Sequence, residues 1–471
     1  MDLDTFRLHG HRAIDWVADY LTTIERHPVR AQVAPGDIAA RLPDAAPPTA
    51  EPVDAILADF ERIVMPGITH WQHPRFFAYF PANSSPPSVL AEVLTAGIAA
   101  QCMLWQTSPA ATEMETRVLD WLRQAIGLPA GFSGVIQDSA SSATLAAIVA
   151  GRERALQGAG NAKGLAGAPP VRVYATDEAH SSVEKACRIA GIGSGHLVRV
   201  ATDDQGRIRA DDLAVRIAED RAAELLPGVV VATLGSTGIG AVDPLAEVAR
   251  VARSEDVYLH VDAAWAGSAL LLDEWRWMID GVELADSFVF NPHKWLGVQF
   301  DCAAHYVREP GVLTAALGIQ PSYLTSRETG HVIDYRDWSV PLGRRFRALK
   351  LWFVLRAYGL DQLRAMLRDH IAWTEELATW IETEADFEMA TPPSLSLLTF
   401  RHVPSGVADV DAHNRALIER INDEGFVYLT PHDHGGRAVI RWSIGARTTE
   451  RRHVEEGWQR VREIAEEFGG R

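Results

Sequence analysis

Apolar residues change their spacing along the chain, and each spacing predicts a different kind of element. In residues 4–26 and again in residues 53–64, apolar side chains recur mostly three or four positions apart, which predicts two amphipathic helices. Residues 42–52 lie between them, are rich in proline and alanine, and predict an extended connector. A helical unit this small cannot bury its apolar face alone. We therefore expect it to pack on the rest of the chain or on a second subunit.

From about residue 84, short apolar strands alternate with amphipathic helices such as 141–155 and 244–253. This alternation is typical of an α/β fold with a mostly parallel sheet and helices on both faces. Ligands of such sheets bind at the C-terminal ends of the strands. The predicted strands are residues 134–137, 171–175, 229–234, 257–262, 287–290 and 303–307.

The last part of the chain has helices and strands in a different order, which predicts a small α+β domain. Its strands are expected at residues 395–401, 426–429 and 438–442. The chain is therefore divided into an N-terminal helical segment, a large domain and a small C-terminal domain, with the bounds 1–83, 84–349 and 350–471.

Composition and charge exclude several classes of function. The 471 residues are 47% hydrophobic, enough for a large core, and the formal net charge of -17 would repel the phosphates of nucleic acids. No apolar run approaches the ~20 residues of a membrane span, and the N-terminus lacks the form of a signal peptide. The three cysteines (Cys102, Cys187 and Cys302) are far apart and show no metal-binding spacing. We expect a soluble, cytoplasmic protein without nucleic-acid or membrane partners.

Lys294 lies in the run NPHKWL (residues 291–296), just after a short apolar strand. Burial among apolar and aromatic groups disfavours the ammonium form, which lowers the pKa of a lysine and leaves an amine that reacts with aldehydes. Asp262 ends another apolar strand about thirty residues earlier. A lysine that forms imines and an aspartate that can hold a protonated pyridine nitrogen are the minimum requirement for binding pyridoxal phosphate.

Three other segments could complete such a site, although each also fits a simpler interpretation. Residues 134–141 run from a strand into a helix whose exposed amides and hydroxyls suit a phosphate, but a serine cap has the same pattern. His180 follows a strand and could stack on a planar cofactor, but a lone histidine there more often caps a helix or lies on the surface. Thr237 could hydrogen-bond near a ring, but a plain turn fits as well.

Five blocks of sequence, in this order, resemble the group II pyridoxal phosphate-dependent decarboxylases, most closely the aromatic L-amino acid decarboxylases. The resemblance covers nearly the whole chain. It implies the aspartate aminotransferase-like fold (fold type I), a homodimer with active sites at the subunit interface, and a dimerisation role for residues 1–83. The blocks are PGITHW (66–71), FFAYFP (76–81), HVDAAWAG (260–267), NPHKW (291–295) and LGRRFR (342–347).

The resemblance also implies how the cofactor is held. Lys294 would bind the cofactor aldehyde and Asp262 would pair with its ring nitrogen. The ring would lie between His180 and Ala264. Contacts with the phosphate are implied for Ala140, Ser141, Asn291 and His293, and Thr237 would lie near the ring.

Tyr323 matches the family's proton donor, so the implied catalytic residues are Lys294, His180 and Tyr323. This tyrosine would deliver a proton to the substrate Cα after carbon dioxide leaves, and the polar segment 325–330 beside it fits a lid that closes over substrate. The implied substrate-binding residues are Trp71, Tyr79, Phe80, Pro81, Gln101, Met103 and Gly343, with positions 101 and 103 acting across the dimer.

Retention of both Tyr323 and His180 favours simple decarboxylation, because relatives that form aldehydes often replace one of them. Gly343 favours an aromatic substrate, because histidine decarboxylases tend to have serine there. Aldehyde formation, or decarboxylation of another L-amino acid such as histidine, remains the alternative. Gln101, Met103 and Ala82 differ from the residues usual in the animal enzymes, so tryptophan, phenylalanine, tyrosine and dopa all stay open.

Residues 432–434 (HDH) could place two imidazoles on one face of a strand as metal ligands. Because two glycines follow, we favour a polar hairpin turn and predict no metal site.

Overall fold

The computed structural model describes residues 1–319, 328 and 330–469. The chain forms two compact units. The terminal unit comprises Met1–Pro81, Trp373–Ala390 and Thr399–Arg471, and the sheet unit comprises Ala82–Ala372 and Thr391–Leu398. No helix in the described part of the chain is long and apolar enough to cross a membrane.

The helices and strands follow the alternation predicted from the sequence. The helices are α1 (Leu3–Thr23), α2 (Val53–Asp59), α3 (Pro86–Ile98), α4 (Pro109–Ala125), α5 (Ala140–Ala155), α6 (Ala159–Lys163), α7 (Ser182–Ile189), α8 (Ala210–Ala222), α9 (Leu245–Ser254), α10 (Pro292–Trp295), α11 (Pro310–Leu317), α12 (Arg347–Glu382), α13 (Val410–Glu424) and α14 (Arg451–Gly469). The strands are β1 (Ser133–Gln137), β2 (Val171–Ala175), β3 (Leu197–Arg199), β4 (Leu226–Thr233), β5 (Tyr258–Asp262), β6 (Ser287–Phe290), β7 (Ala303–Val307), β8 (Phe387–Ser394), β9 (Leu397–His402), β10 (Thr430–His434) and β11 (Arg437–Ser443).

The predicted domain ends relate differently to these units. Residue 83, the predicted end of the N-terminal segment, lies two positions beyond the change of unit after Pro81. The end predicted at residue 349 falls inside α12, and the unit changes after Ala372. The change in sequence pattern near residue 350 marks the start of α12. The unit changes within this helix, because packing and not the start of a helix decides where a unit ends.

The large sheet has the order β1-β7-β6-β5-β4-β2-β3, and β7 alone runs against its neighbours. β2, β6 and β7 have the predicted bounds, because their apolar runs are buried on both faces. β3 was not predicted, since its three residues are too few for a pattern to be visible.

Helix α5 packs closely on this sheet because its inward face consists of small residues. Ala146, Ala147 and Ala150 are fully buried against the strands. A Cβ atom at Gly151 would lie 2.5 Å from Cγ2 of Val229, so only glycine permits this approach. The close packing fixes the N-terminus of α5 relative to the sheet.

The C-terminal sheet has the order β10-β11-β9-β8 and corrects one predicted strand. Residues 426–429 do not form a strand, apart from one bridge between Tyr428 and Phe76. The amide of Leu429 donates to Oδ1 of Asn422, and its carbonyl accepts from Nδ2 of the same side chain. Neither group bonds to a neighbouring strand. Phe426 packs under Arg75, and Tyr428 packs on the cluster of Val29, Phe76 and Ala78, so the apolar alternation there reflects side-chain burial without a strand. β10 follows at Thr430, and its hairpin with β11 turns at Gly435 and Gly436, which both have positive φ.

Candidate active site

The C-terminal ends of three adjacent parallel strands bring the predicted cofactor residues to one edge of the large sheet. Thr233 of β4 pairs with Asp262 of β5, which pairs with Val289 of β6. Residues 291–294 follow directly after β6, and the amide of Asn291 donates to the carbonyl of Ala264 over 2.9 Å. The segments after β5 and β6 are therefore held side by side.

Lys294 lies on α10, a single helical turn that begins with Pro292. It is half-buried between His293 and Trp295, which are both buried. Trp295 stacks on Trp265, with ring centroids 5.3 Å apart, so the turn of Lys294 packs on the segment that follows Asp262. The positive charge of Lys294 helps to lower the pKa of both His180 and His293.

Lys294 differs in its surroundings from the other three lysines of the chain. Lys163 and Lys185 are exposed. Lys350 is fully buried, with its ammonium 2.7 Å from a carboxylate oxygen of Glu92 and hydrogen-bonded to Gln299 over 3.0 Å. Among the lysines, only Lys294 combines partial burial with a position at the ligand-binding edge of the sheet.

Asp262 is buried at the end of β5 and accepts one hydrogen bond, over 3.0 Å, from the amide of Ala264. Its negative charge acts on His180, where it opposes the lowering of the imidazole pKa. A buried carboxylate that one amide holds in place can still accept a second hydrogen bond, because each carboxylate oxygen has two lone pairs.

His180 precedes α7, and its ring is oriented by Ser182. The amide of Ser182 donates to Nδ1 over 3.2 Å, and the hydroxyl lies 2.9 Å from the same atom. An amide can only donate, so Nδ1 is an acceptor and the proton of the neutral ring is on Nε2. Burial, followed by the charge of Lys294, lowers the pKa of His180 and keeps the ring neutral.

The N-terminus of α5 supplies amide donors. Ser139 caps the helix by accepting from the amide of Ser142 over 3.2 Å. The amides of Ala140 and Ser141 belong to the first turn, where no helical carbonyl is available to them. Ala264 packs on the cluster that includes Ala140, so this helix end adjoins the segment after Asp262.

His293 and Asn291 add two further polar groups. Nδ1 of His293 accepts from the amide of Cys302 over 2.8 Å, which leaves its Nε2 as a donor. Burial, and next the charge of Lys294, lowers the pKa of His293 to about 3. The side-chain oxygen of Asn291 is buried and makes no hydrogen bond to any described residue. A bound hydrogen-bond donor would satisfy this oxygen, which can only accept.

These features fit pyridoxal phosphate in their chemistry. Helix amides and a neutral imidazole N–H suit a phosphate, a half-buried amine suits an aldehyde, and a buried carboxylate suits a pyridine nitrogen. Thr237 is exposed in the turn after β4, at the same edge, where Gly235 adopts a φ of +78°.

Four of the expected substrate residues belong to the terminal unit. Trp71 stacks on Tyr79 with ring centroids 5.7 Å apart, and Phe80 is buried under the guanidinium of Arg441 at 4.4 Å. Pro81 is buried close to Gly445: a Cβ atom added at this glycine would lie 3.0 Å from Cδ of Pro81.

Gln101 and Gly343 lie next to each other in the sheet unit, which also contains Met103. The amide of Arg344 donates to Oε1 of Gln101 over 2.7 Å, and a Cβ atom at Gly343 would lie 3.3 Å from Nε2 of Gln101. The carbonyl of Met103 accepts from the amide of Arg336 over 3.0 Å. Gln101 and Gly343 line a cavity of about 410 Å³. Tyr323 lies outside the described residues.

Sequence reasoning missed a buried ion pair beside Gln101 and Gly343. Nη2 of Arg344 lies 2.6 Å from Oε1 of Glu115 and also donates to the carbonyl of Ile136 on β1 over 2.8 Å. The amide of Ile136 donates to the same carboxylate. The LGRRFR block contains Arg344, but nothing in the sequence connects it with a residue more than 200 positions away.

The pyridoxal-dependent decarboxylase conserved domain matches residues 35–403. The chain belongs to this family. It is 42% identical to phenylacetaldehyde synthase of Arabidopsis thaliana, over 99% of this chain and 96% of the relative, and 42% identical to aromatic-L-amino-acid decarboxylase of Mus musculus, over 99% and 98%. The crystal structure of Oryza sativa TDC with PLP and tryptamine superposes with a TM-score of 0.96 at 36% identity, over 99% of both chains.

Membership of this family makes the protein a pyridoxal phosphate-dependent carboxy-lyase of fold type I, as the sequence predicted. The cofactor prediction is confirmed as well.

Proposed function

We propose that this decarboxylase removes carbon dioxide from aromatic L-amino acids and releases arylalkylamines. The observation that carries the proposal is that Asp262 ends β5 and the turn of Lys294 directly follows β6, so both lie at the C-terminal edge of the sheet, where the amide of Asn291 donates to the carbonyl of Ala264. Relatives named for aromatic amino acids, with identities near 40% over the whole chain, support the choice of substrate class.

Bound pyridoxal phosphate supplies an electron sink for the electron pair of the Cα–carboxylate bond. Lys294 would hold the cofactor aldehyde. The Asp262 carboxylate would accept a hydrogen bond from the ring nitrogen and raise its pKa, which would keep this nitrogen protonated. The neutral imidazole of His180 and the side chain of Ala264 would pack against the ring.

The anion-binding groups hold the other end of the cofactor. The phosphate would be held by the first amides of α5, Nε2 of His293 and the side chain of Asn291, and Thr237 would lie near the ring. After carbon dioxide leaves, Tyr323 donates a proton to Cα, which completes the amine product.

Aromatic side chains of the substrate are bound by the residues that the resemblance indicates. Trp71, Tyr79, Phe80 and Pro81 supply apolar surface. Gln101 and Met103 act on the site across the dimer, and Gly343 leaves space for a ring beside Gln101. The donor Nε2 of Gln101 points towards this space, because Oε1 is already bonded to the amide of Arg344.

A panel of L-amino acids tests the proposal. Purified protein with pyridoxal phosphate is incubated with tryptophan, phenylalanine, tyrosine, dopa, histidine or glutamate, and amine and carbon dioxide are quantified. We expect stoichiometric amine and carbon dioxide from at least one aromatic substrate. Turnover of only histidine or glutamate would refute the assignment of substrate class.

Aldehyde formation is the second candidate, because one relative with 42% identity is named phenylacetaldehyde synthase. Such a reaction consumes oxygen and releases ammonia and hydrogen peroxide with the aldehyde. Assays of hydrogen peroxide and ammonia in the same panel separate the two activities. Amine without peroxide supports decarboxylation, and peroxide equal to carbon dioxide supports the second candidate.

We also propose that the protein is a cytoplasmic homodimer whose subunits meet through the N-terminal segment and α3. Helix α1 has no buried residue. Four apolar side chains of α3 are exposed at helical spacing: Leu90, Val93, Leu94 and Ile98. Light scattering at micromolar concentration should give about twice the mass of one chain, and charged substitutions at Val93 and Leu94 should shift it to one chain mass.

A further inference from the structure

Residues 83–88 lie against the turn that carries Lys294, within the sheet unit. Three of their polar residues are almost completely buried: Asn83, Ser85 and Ser88. Each of the three makes a hydrogen bond with the segment 293–299, so the contact is a continuous polar seam. The mechanism proposed above uses none of these residues.

Asn83 bonds to two of the four carbonyls of α10, those of His293 and Lys294. A helical turn of four residues leaves its last carbonyls without helical partners. The amide of Asn83 donates to the carbonyl of His293 over 2.8 Å. Its side-chain Nδ2 donates to the carbonyl of Lys294 itself. One residue therefore caps the backbone on both sides of the bond between His293 and Lys294.

Ser85 and Ser88 extend the seam beyond the turn. Ser85 is the N-cap of α3, yet its hydroxyl donates to the carbonyl of Gly297 over 2.6 Å and makes no capping bond to its own helix. Pro86 and Pro87 follow it and have no amide hydrogens, which reduces the number of donors that need a cap. Oγ of Ser88 accepts from the amide of Gln299 over 2.6 Å.

We propose that Asn83 is a positioning residue that fixes the backbone of Lys294 and thereby the direction of its amine. The proposal rests on the proposed role of Lys294 in binding the cofactor aldehyde. A lysine side chain has four rotatable bonds, so its amine can reach many points. The position of the Cα atom and the rotation of the turn decide which region those points occupy. Loss of the Asn83 donor removes this hydrogen bond from the carbonyl of Lys294, and the turn then has more freedom to rotate.

Two variants test the donor. Asn83→Ala removes the side chain, and Asn83→Leu keeps a similar volume without a donor, so that it still reports if the alanine variant fails to fold. Both retain the backbone amide that bonds to His293. Asn414→Ala is the matched control, because Asn414 is another buried asparagine whose Nδ2 donates to two carbonyls, those of His402 on β9 and Val410 on α13.

The readout is the rate at which apoprotein attaches pyridoxal phosphate at Lys294. Borohydride stops the reaction at set times, and mass spectrometry of peptides identifies which of the four lysines is modified. We expect attachment at Lys294 to be ~10-fold slower in both Asn83 variants, since the loss of one hydrogen bond within a fold commonly has an effect of this size. The Asn414→Ala protein should attach the cofactor at the wild-type rate, even if its urea midpoint falls.

Two outcomes would overturn the role of Asn83 alone: wild-type rates in a folded Asn83 variant, or an equal loss of rate in Asn414→Ala. Modification of a lysine other than Lys294 in wild-type protein would overturn the proposed function, and this inference with it. The two kinds of failure are therefore distinguishable in one experiment.

Discussion

Lys294 lies in surroundings that no other lysine of the chain shares, and this difference predicts the effect of replacing it. Lys294→Ala should abolish attachment of pyridoxal phosphate and all turnover, because the exposed or ion-paired lysines cannot take its place. Visible absorbance of the bound cofactor and amine release measure the two effects. Lys185→Ala, at an exposed position, is the control and should retain both.

The orientation of the Gln101 side-chain amide predicts a preference among aromatic substrates. Its Nε2 is directed at the space beside Gly343, so a ring hydroxyl there would accept a hydrogen bond that a plain phenyl ring cannot. Gln101→Leu should lower kcat/KM for tyrosine ~10-fold and leave that for phenylalanine nearly unchanged. Steady-state kinetics with both substrates give the ratio. An equal loss for the two would mean that Gln101 supports the fold and not the choice of ring.

At the scale of elements, adjacent arginines of one loop differ in their contribution to stability. Arg344 is buried and paired with Glu115, whereas Arg345 is exposed and paired with Glu92. Arg344→Met leaves a buried carboxylate without its partner and should lower the free energy of unfolding by about 3–5 kcal/mol. Arg345→Met should lower it by less than ~1 kcal/mol.

Urea unfolding at neutral pH measures this difference for the two variants. Similar midpoints for both would contradict the assignment of the Arg344–Glu115 pair as the link between the loop and β1.

The elements also show where the sequence pattern failed. Strands buried on both faces were predicted to the residue at β2, β6 and β7. β8 was missed because its sequence, FEMATPPS, contains two prolines and little apolar alternation. It is an end strand of its sheet, where missing ladder donors are tolerated. The apolar run at 426–429 was assigned to a strand because a local pattern does not reveal which element buries it.

For the molecule as a whole, buried histidines predict a loss of stability in acid. His305 is fully buried on β7, and neither ring nitrogen bonds to a described residue. Burial lowers its pKa to about 3, and burial also lowers the pKa of His260 well below its ordinary value. The unfolded chain binds protons at these rings below about pH 6.5, whereas the folded chain does not, so acid favours unfolding.

The free energy of unfolding should therefore fall as the pH decreases from about 6.5 towards 3. His305→Leu removes one such proton and should reduce the slope by ~1.4 kcal/mol per pH unit within this range. Urea titrations of the wild type and the variant at pH 7, 6 and 5 measure both slopes. Parallel curves would show that His305 is protonated in the folded protein.

The sequence by itself determined the sheet, the order of its strands along the chain, the cofactor and the family. These depend on local runs: apolar strands buried on both faces, and short blocks whose residues act together. It also gave Lys294 and Asp262 as neighbours, because parallel strands end at the same edge of a sheet. Only the tertiary structure decided which residues from distant parts of the sequence bond to each other. Asn83 lies more than 200 positions before Lys294, as Glu115 does before Arg344, and each pair forms through hydrogen bonds that leave no periodic trace in the sequence.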